Sequence, residues 1–236
     1  MIETILKSHL VPAENYIYGF ADMTGLLGTK FPGFNYGISI GKILNKEIVD
    51  KITSGPTMEY YLHYRQINKD LARLTKDISD DLNKNDIETC DVAPTVETSE
   101  LDTIYHDTLR TDLSHKMVAT RAGLGWIGKT DLFVSKKHGP GLRLVSILLK
   151  KVVISKEKPV NKSHCGNCNI CVEVCPAKAA NGKFWDISVE REEFFDPWKC
   201  RDQCAAFGIE KLGVDARVCG ICVSVCPIGR KASGSE

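Results

Sequence analysis

Four closely spaced cysteines constrain this chain more than any other feature of its sequence. Residues 165–176 read C-G-N-C-N-I-C-V-E-V-C-P, so Cys165, Cys168, Cys171 and Cys175 follow the spacing C-x2-C-x2-C-x3-C-P. In bacterial proteins with this spacing, three thiolates bind one 4Fe-4S cluster and the fourth binds another. Zinc is the alternative metal, because C-x2-C pairs also suit a tetrahedral ion. Four cysteines this close together, followed by a proline, favour the cluster.

A second cysteine motif lies near the end of the sequence and reads C-G-I-C-V-S-V-C-P. It has three cysteines where the first motif has four, so an upstream cysteine, either Cys200 or Cys204, is needed to complete it. If the two motifs exchange ligands, one cluster binds Cys165, Cys168, Cys171 and Cys226, and the other binds Cys175, Cys219, Cys222 and one of the upstream pair. The remaining upstream cysteine and Cys90 are then spare. We expect Cys90 to behave as a small buried hydrophobic residue.

The composition is that of an ordinary soluble protein. The chain has 236 residues, 43% hydrophobic and 26% charged, which suffices for one substantial domain and a small one. A net charge of +1 gives no electrostatic signature for nucleic acid, so the sequence does not favour a nucleic-acid partner. Met1 to Val11 lacks the layout of a secretory signal, and no apolar run is long enough to span a bilayer. We therefore expect a cytoplasmic protein with no membrane partner.

The hydrophobic pattern predicts a mixed α/β (α+β) fold. An apolar stripe over Thr57–Lys84 predicts the longest helix, and shorter helices are expected at residues 2–10 and at His115–Arg121. Strands are expected at Tyr16–Ala21, Tyr36–Ile40, Ile87–Val92, Asp131–Ser135 and Leu142–Leu149. The polar segment Thr95–Ser114 predicts a long loop or a short irregular helix. We expect a cofactor and substrate domain over residues 1–160, an iron-sulfur module over 161–230 and a tail over 231–236.

A glycine-rich stretch, A-G-L-G-W-I-G-K-T at residues 122–130, formally matches two nucleotide-binding patterns. Both patterns work only where a strand enters the loop and a helix leaves it, because the start of that helix binds the phosphate. Here a helix is expected before the loop and a strand after it, which disfavours a nucleotide. The loop still lets the backbone approach a ligand closely. Trp126 offers a flat face and Lys129 a positive charge, a combination that suits a large, partly anionic cofactor.

Taken together, these motifs resemble those of the epoxyqueuosine reductases and the related reductive dehalogenases. The matching residues are A-G-L-G-W-I-G-K at 122–129, the motif at 165–176, K-C at 199–200 and C-G-I-C-V-S-V-C-P at 219–227. The resemblance implies a nitroreductase-like α/β domain that holds cobalamin without its lower base, followed by a ferredoxin-like module with two 4Fe-4S clusters. In both families the ligand upstream of the last motif is a lone cysteine, commonly after a basic residue, which favours Cys200 over Cys204.

The resemblance also implies a function and cofactor contacts. A low-potential donor, ferredoxin or flavodoxin, would reduce the clusters, and the clusters would reduce cobalt for the reductive cleavage of an electrophile. The residues expected to contact the cofactor are Gly123, Gly125, Trp126, Gly128 and Lys129.

Asp91 is the first candidate proton donor. Epoxyqueuosine reductases use an aspartate in a D-S-A-P stretch, and residues 90–94 read C-D-V-A-P, which departs from that pattern only at Val92. To act as an acid near neutral pH, Asp91 would need an apolar site that raises its pKa, which Cys90, Val92 and Pro94 could form. The alternative is that Asp91 caps the turn before Pro94. Tyr105 is the second candidate, because dehalogenase-type relatives use a tyrosine.

The sequence departs from both families. Epoxyqueuosine reductases continue past the clusters into a helical-repeat domain that helps to hold tRNA, and this sequence ends there. The segment from Asp91 to Gly123 is longer than theirs, and the twin-arginine signal of respiratory dehalogenases is missing. The leading hypothesis is a cobalamin-dependent iron-sulfur reductase acting on a small-molecule substrate. The alternatives are an epoxyqueuosine reductase acting on tRNA and a non-catalytic protein that reduces a partner's corrinoid.

Overall fold

The computed structural model describes residues 1–95 and 101–229, and the predicted tail at 231–236 lies outside these residues. The chain divides into two compact units, each assembled from separate segments. The first unit contains residues 1–43, 66–124 and 143–160, and the second contains residues 44–65, 125–142 and the described residues from 161 onward.

This division differs from the continuous domains expected from the sequence. One border falls at residue 160, and residues 44–65 and 125–142 group with the iron-sulfur module. The reason is that a hairpin within 125–142 packs on the first cysteine motif, as described below. The glycine-rich stretch is therefore split between the two units after Leu124.

The α-helices among the described residues are α1 Ile2–His9, α2 Lys46–Asp50, α3 Met58–Asn83, α4 Thr103–Thr108, α5 His115–Arg121, α6 Ile170–Glu173, α7 Arg191–Phe194, α8 Pro197–Phe207 and α9 Ile221–Ser224. The strands are β1 Tyr16–Asp22, β2 Tyr36–Ile43, β3 Thr89–Val92, β4 Gly125–Ile127, β5 Phe133–Ser135 and β6 Leu142–Leu149. No helix in residues 1–95 and 101–229 is long and apolar enough to cross a bilayer.

The first unit is built on a four-stranded sheet in the order β1-β2-β6-β3. β1 and β2 form an antiparallel pair, and β3 runs antiparallel to β6, with Asp91 opposite Ile147. β6 is almost entirely buried, as its long apolar run predicts. Helix α5 packs Val118 and Ala122 into the same core cluster as Met23 of the loop after β1 and Leu148 of β6. The mixed α/β fold expected from the sequence is confirmed.

The second unit combines a small hairpin with short helices. β4 and β5 pair antiparallel, with Trp126 opposite Val134. Helices α6 and α9 begin with the same three residues, I-C-V, so α6 carries Cys171, the third cysteine of the first motif, and α9 carries Cys222, the second cysteine of the last. They contact each other, and Ser224 of α9 donates a hydrogen bond of 2.8 Å to the carbonyl of Ile52. These contacts bring two motifs that are far apart in sequence into one small volume.

Candidate metal centre

Cys171, on helix α6, lies at the centre of the first group of thiols. Cys165 and Cys168 precede this helix in the chain, and Cys226 comes from the loop that follows α9. Burial, together with the negative charges of Cys165, Cys226 and Cys168, raises the pKa of the Cys171 thiol to about 11. Three thiols from two motifs therefore lie close enough to Cys171 for their charges to act on it. A metal cluster supplies the positive charge that four neighbouring thiolates require.

The second group of thiols is formed by α8 and the last motif. Cys204 hydrogen-bonds to Cys200 and to Cys219, which raises the pKa of Cys204, and the same contact lowers the pKa of Cys219 to about 7. Burial raises the pKa of Cys222, and the charges of Cys219, Cys200 and, from the first group, Cys171 add to the effect. A side-chain hydrogen bond with Thr130 acts in the opposite direction.

The structure brings both upstream cysteines to this second group, so the choice between Cys200 and Cys204 remains a prediction. Cys200 is one of the charges that act on Cys222, and it packs with Cys175 against a single hydrophobic cluster. Among the described residues, no group of three or more His, Cys, Asp or Glu side chains could hold a single metal ion. A four-iron cluster is a different case, because each cysteine binds a different iron atom.

The glycines of the 122–130 stretch have steric explanations within their own units. Gly123 lies just beyond α5 with φ of +72°, and the amides of Gly123 and Leu124 donate to the carbonyls of Thr120 and Ala119 in the pattern that ends many helices. At Gly125, a Cβ atom would lie 2.1 Å from the carbonyl oxygen of Val134 on the paired strand. Neither glycine needs a ligand to explain it.

Trp126 and Lys129 contact the first cysteine motif. The indole Nε1 of Trp126 donates to Cys165 Sγ over 3.4 Å, and its ring stacks on His164 with centroids 5.2 Å apart. Lys129 Nζ donates to the carbonyl oxygen of Cys168 (3.0 Å) and to Asn169 Oδ1 (2.7 Å). Both side chains are buried, at 5% and 2% exposure. The expectation that they present a flat face and a cation to a large cofactor is not met, because these groups are engaged by the cysteine motif.

Gly128 also lies beside the first cysteine motif. A Cβ atom at Gly128 would lie 3.0 Å from Val134 Cγ2 and 3.7 Å from Cys165 Sγ. The loop backbone therefore runs directly alongside a cysteine of the first motif. The close approach predicted for the glycine-rich loop exists, and its target is this cysteine.

Asp91 lies on β3 and is exposed. Cys90 and Val92 pack against the core of the first unit. Successive side chains of a strand point to opposite faces, so these two neighbours face away from the Asp91 carboxyl. The expected apolar site around Asp91 is therefore not formed by them.

Tyr105 lies on α4, within the segment expected to be a loop or an irregular helix. Asp102 caps this helix by accepting from the Tyr105 amide, and both residues line a small open cavity with Arg110 and Asp112. The Tyr105 ring meets His106 edge-on at 5.9 Å. Asp91 and Tyr105 both belong to the first unit.

His115 is a residue that the sequence patterns did not single out. Its Nε2 lies 2.9 Å from the carbonyl oxygen of Ala93, and its Nδ1 lies 3.0 Å from Ser146 Oγ. A carbonyl only accepts, so Nε2 carries the proton and Nδ1 accepts from the serine. The imidazole thus ties the end of the Asp91 stretch to the sheet. Its position at the start of α5 was the only signal in the sequence.

Comparison with known families supports the cluster assignment. Residues 164–229 match the family described as a 4Fe-4S double cluster binding domain. This segment includes every cysteine of both motifs and both upstream cysteines. The chain therefore contains a 4Fe-4S cluster-binding domain, as the cysteine spacing predicts.

Two similar curated proteins are epoxyqueuosine reductases. The epoxyqueuosine reductase of Prochlorococcus marinus (strain NATL2A) is 34% identical over 125 residues, which cover 49% of this chain and 36% of that protein. The enzyme of Lactococcus garvieae (strain Lg2) is 34% identical over 113 residues, covering 48% and 31%. The chain resembles the epoxyqueuosine reductases. It spans about a third of the length of these curated relatives.

Solved structures extend this resemblance to the fold. An epoxyqueuosine reductase in complex with a stem loop of epoxyqueuosine-modified tRNA-Tyr has a TM-score of 0.61 at 16% identity and covers 98% of this chain and 64% of that one. A catabolic reductive dehalogenase in complex with 3-bromo-4-hydroxybenzoic acid has a TM-score of 0.66 at 13% identity, covering 91% and 30%. The resemblance predicted to the epoxyqueuosine reductase and reductive dehalogenase superfamily is confirmed. The nitroreductase-like and cobalamin-binding details stay predictions.

Proposed function

We propose that the chain is an oxidoreductase whose second unit holds two 4Fe-4S clusters and passes electrons from a low-potential donor to a reaction centre. The proposed ligands of one cluster are Cys165, Cys168, Cys171 and Cys226. The proposed ligands of the other are Cys175, Cys200, Cys219 and Cys222. Support for a reductase comes from the names of the curated and structural relatives.

A single observation carries this proposal. Cys226 belongs to the last motif, yet its charge acts on Cys171, which belongs to the first. This proximity supports the exchange of ligands expected when two clusters share two motifs. Two independent zinc sites would not require it, because each C-x2-C pair would then be completed within its own motif.

A corrinoid is the electron acceptor that the resemblance favours. A solved reductive dehalogenase of similar fold is described as supporting a mechanism for B12-dependent dehalogenation. A bound corrinoid would supply a cobalt centre able to cleave a substrate bond reductively. Trp126 and Lys129, however, do not fit as its contacts, because both are buried against the cysteine motif. We therefore assign no step to the corrinoid from these residues.

Asp91 is the proposed proton donor. A similar structure, the epoxyqueuosine reductase of Bacillus subtilis, is described with its catalytic aspartate loop swung out of the active site. The exposed carboxyl of Asp91 and its position at the end of β3 agree with a donor that must move toward a substrate. In this proposal His115 holds Ala93, two residues after Asp91, so that the stretch keeps one path along the sheet. Tyr105 remains the alternative donor.

The ligand exchange can be tested by counting iron. We expect the wild-type protein, purified without oxygen and with cobalamin supplied, to contain about eight irons with acid-labile sulfide. Cys171→Ser and Cys226→Ser should each lose about four, and the double variant should lose no more than either single one. Cys90→Ser is the matched control, because Cys90 lies in the first unit, and it should keep all of its iron.

Two results would contradict the proposal. If the Cys171 and Cys226 losses add, the two cysteines bind different clusters and the exchange is wrong. If the wild-type protein binds zinc and no iron under these conditions, the cluster assignment itself is wrong. Cobalt measured in the same samples tests the corrinoid separately, since about one cobalt for each chain is expected.

Reduction of epoxyqueuosine in tRNA is the second candidate function. The named relatives favour it, and one similar structure contains a tRNA stem loop. The near-neutral charge of the sequence did not favour a nucleic-acid partner, and these relatives reopen that question. We would express the chain in a strain that lacks its own epoxyqueuosine reductase and measure queuosine in hydrolysed tRNA. Restored queuosine would identify epoxyqueuosine in tRNA as the substrate. Unchanged epoxyqueuosine would leave a small electrophile as the proposed substrate.

A non-catalytic electron carrier is the third candidate, and its cofactor content distinguishes it from the two enzymes. About eight irons without cobalt, even at high cobalamin, would favour a protein that reduces a partner's corrinoid. The donor proposed in every case is a ferredoxin or a flavodoxin. The cytoplasmic location stays a prediction.

A further inference from the structure

The glycine-rich stretch that contains β4 has the sequence of a phosphate-binding loop, but its side chains serve a different purpose. We propose that Trp126 and Lys129 raise the reduction potential of the cluster held by Cys165, Cys168, Cys171 and Cys226. They are positioning residues that act through the cysteine motif. This inference rests on the proposed function, since it needs a cluster at that motif.

The hairpin fixes where these two side chains lie. Trp126 is in the middle of β4, paired with Val134 of β5. After β4 the chain turns tightly, with the Gly128 amide donating to the carbonyl of Leu132 over 2.8 Å. Lys129 lies inside that turn. The tryptophan and the lysine are thus three residues apart, and both reach the segment from Cys165 to Asn169.

Trp126 acts on a sulfur atom. The indole N–H only donates, so at 3.4 Å its partner Cys165 Sγ is the acceptor. A hydrogen bond to a charged acceptor is stronger than one to a neutral acceptor, so this bond strengthens as negative charge accumulates on the sulfur. Hydrogen bonds to cluster sulfurs are one of the ways in which proteins set the potential of a cluster. Stacking on His164, with an interplanar angle of 23°, holds the indole in this orientation.

Lys129 brings a buried positive charge. Its side chain is 2% exposed, and its nearest partners are the carbonyl of Cys168, the amide oxygen of Asn169 and the face of Phe184, whose centroid lies 4.6 Å from Nζ. These partners are all neutral, and among the described residues no carboxylate forms an ion pair with this lysine. A buried ammonium group without a negative partner is costly. The cysteine motif offers that partner once it carries a cluster.

The sign of the effect follows from charge. Four thiolates outweigh the charge of the iron-sulfide core, so the cluster is an anion that becomes more negative on reduction. A nearby cation and a nearby donor both favour the more negative state, and so both raise the potential. A lysine that served only to fill space would leave the potential unchanged when replaced by methionine, which has a similar shape.

The test is a redox titration followed by electron paramagnetic resonance on the anaerobically purified protein. Lys129→Met should lower the ratio of reduced to oxidised cluster about tenfold at a fixed potential, equivalent to about 59 mV for one electron. Trp126→Phe should lower it about threefold. Lys129→Arg keeps the charge and should stay close to wild type. The shift should occur in the signal that Cys226→Ser loses.

Matched controls come from the same unit. Lys137 is an exposed lysine that follows β5, and Trp198 is a partly exposed tryptophan on α8. Lys137→Met and Trp198→Phe should leave both potentials unchanged. If they shift the potential as much as the test variants do, the effect is not specific to the loop and the inference is overturned.

The outcomes separate this inference from the function on which it rests. Full iron with unchanged potentials in Lys129→Met and Trp126→Phe would overturn the role of the loop and leave the clusters in place. If Lys129→Met does not retain iron, Trp126→Phe and Lys129→Arg become the test of the effect on the reduction potential. An unchanged potential in Trp126→Phe would then overturn the inference. No 4Fe-4S signal in the wild-type protein would instead overturn the proposed function.

Discussion

Acidification is expected to destabilise the protein through His115. In the folded state its Nε2–H donates to the carbonyl of Ala93, and its Nδ1 accepts from Ser146, which is fully buried. Protonation of Nδ1 would remove that acceptor. Burial lowers the pKa of His115 from 6.5 to about 4, and the positive charge of Arg143 acts in the same direction.

The magnitude follows from the difference between the two states. Above about pH 6.5, His115 is neutral in both the folded and the unfolded chain, and its contribution to stability is complete. As the pH falls below that value, His115 takes up a proton in the unfolded chain but stays neutral in the folded protein. Its contribution to the free energy of unfolding therefore decreases until the pH reaches about 4. The total is about 3 kcal/mol. Between about pH 7 and about pH 5.5, the expected loss is about 1.2 kcal/mol.

The assay is urea unfolding followed by circular dichroism at these two pH values, for the wild type and for His115→Gln. Glutamine can still donate to Ala93 but does not titrate, so the wild type should lose about 1.2 kcal/mol more than the variant on acidification. All other titrating groups, including His138, are common to both proteins and cancel in the comparison. Equal losses in the two proteins would refute the reasoning, as would a His115 resonance that titrates near pH 6.5.

Three further predictions test particular residues. Cys200→Ser should lose about four irons while Cys204→Ser keeps about eight, and the reverse pattern would make Cys204 the ligand. Gly125→Ala should destabilise the protein by about 2 kcal/mol in urea unfolding, because the new methyl group would lie 2.1 Å from a carbonyl oxygen of the paired strand. Gly28→Ala, with nothing within 4 Å, should cost far less. Asp91→Asn should lower turnover about 100-fold with full iron content, and normal turnover would leave Tyr105 as the donor.

Elements with a clear period and glycine at their ends could be predicted closely. The expected limits of α5 and β6 match those observed, and α3 differs by one residue at each end. β5 begins two residues later than expected, because Asp131 adopts a left-handed conformation with φ of +56° that ends the turn rather than starting a strand. Helix α8 was not predicted, although Asp196 and Pro197 form a recognisable helix start.

Some features of the candidate site could likewise be predicted from local sequence, and others depend on tertiary packing. Cysteine spacing is local, so the cluster motifs could be recognised from the sequence alone. The expectation of an apolar site around Asp91 could have been corrected from the sequence, because neighbouring side chains in a strand alternate and Cys90 and Val92 lie on the opposite face. The orientation of Trp126 and Lys129 could not, because it depends on a hairpin that packs against residues about 40 positions later in the chain.

The glycine-rich stretch shows why a motif needs its neighbours before it acquires a function. In a phosphate-binding loop, glycine lets backbone amides surround an anion at the start of a helix. Here the stretch contains strand β4 in place of a helix start, and Gly128 lets the backbone run beside Cys165. The lysine that would contact a phosphate donates to the carbonyl of Cys168. The anion beside this stretch would therefore be a thiolate-bound cluster. We expect that nucleotides do not bind to the stretch, and that substitutions in it change the spectrum and the reduction potential of the cluster.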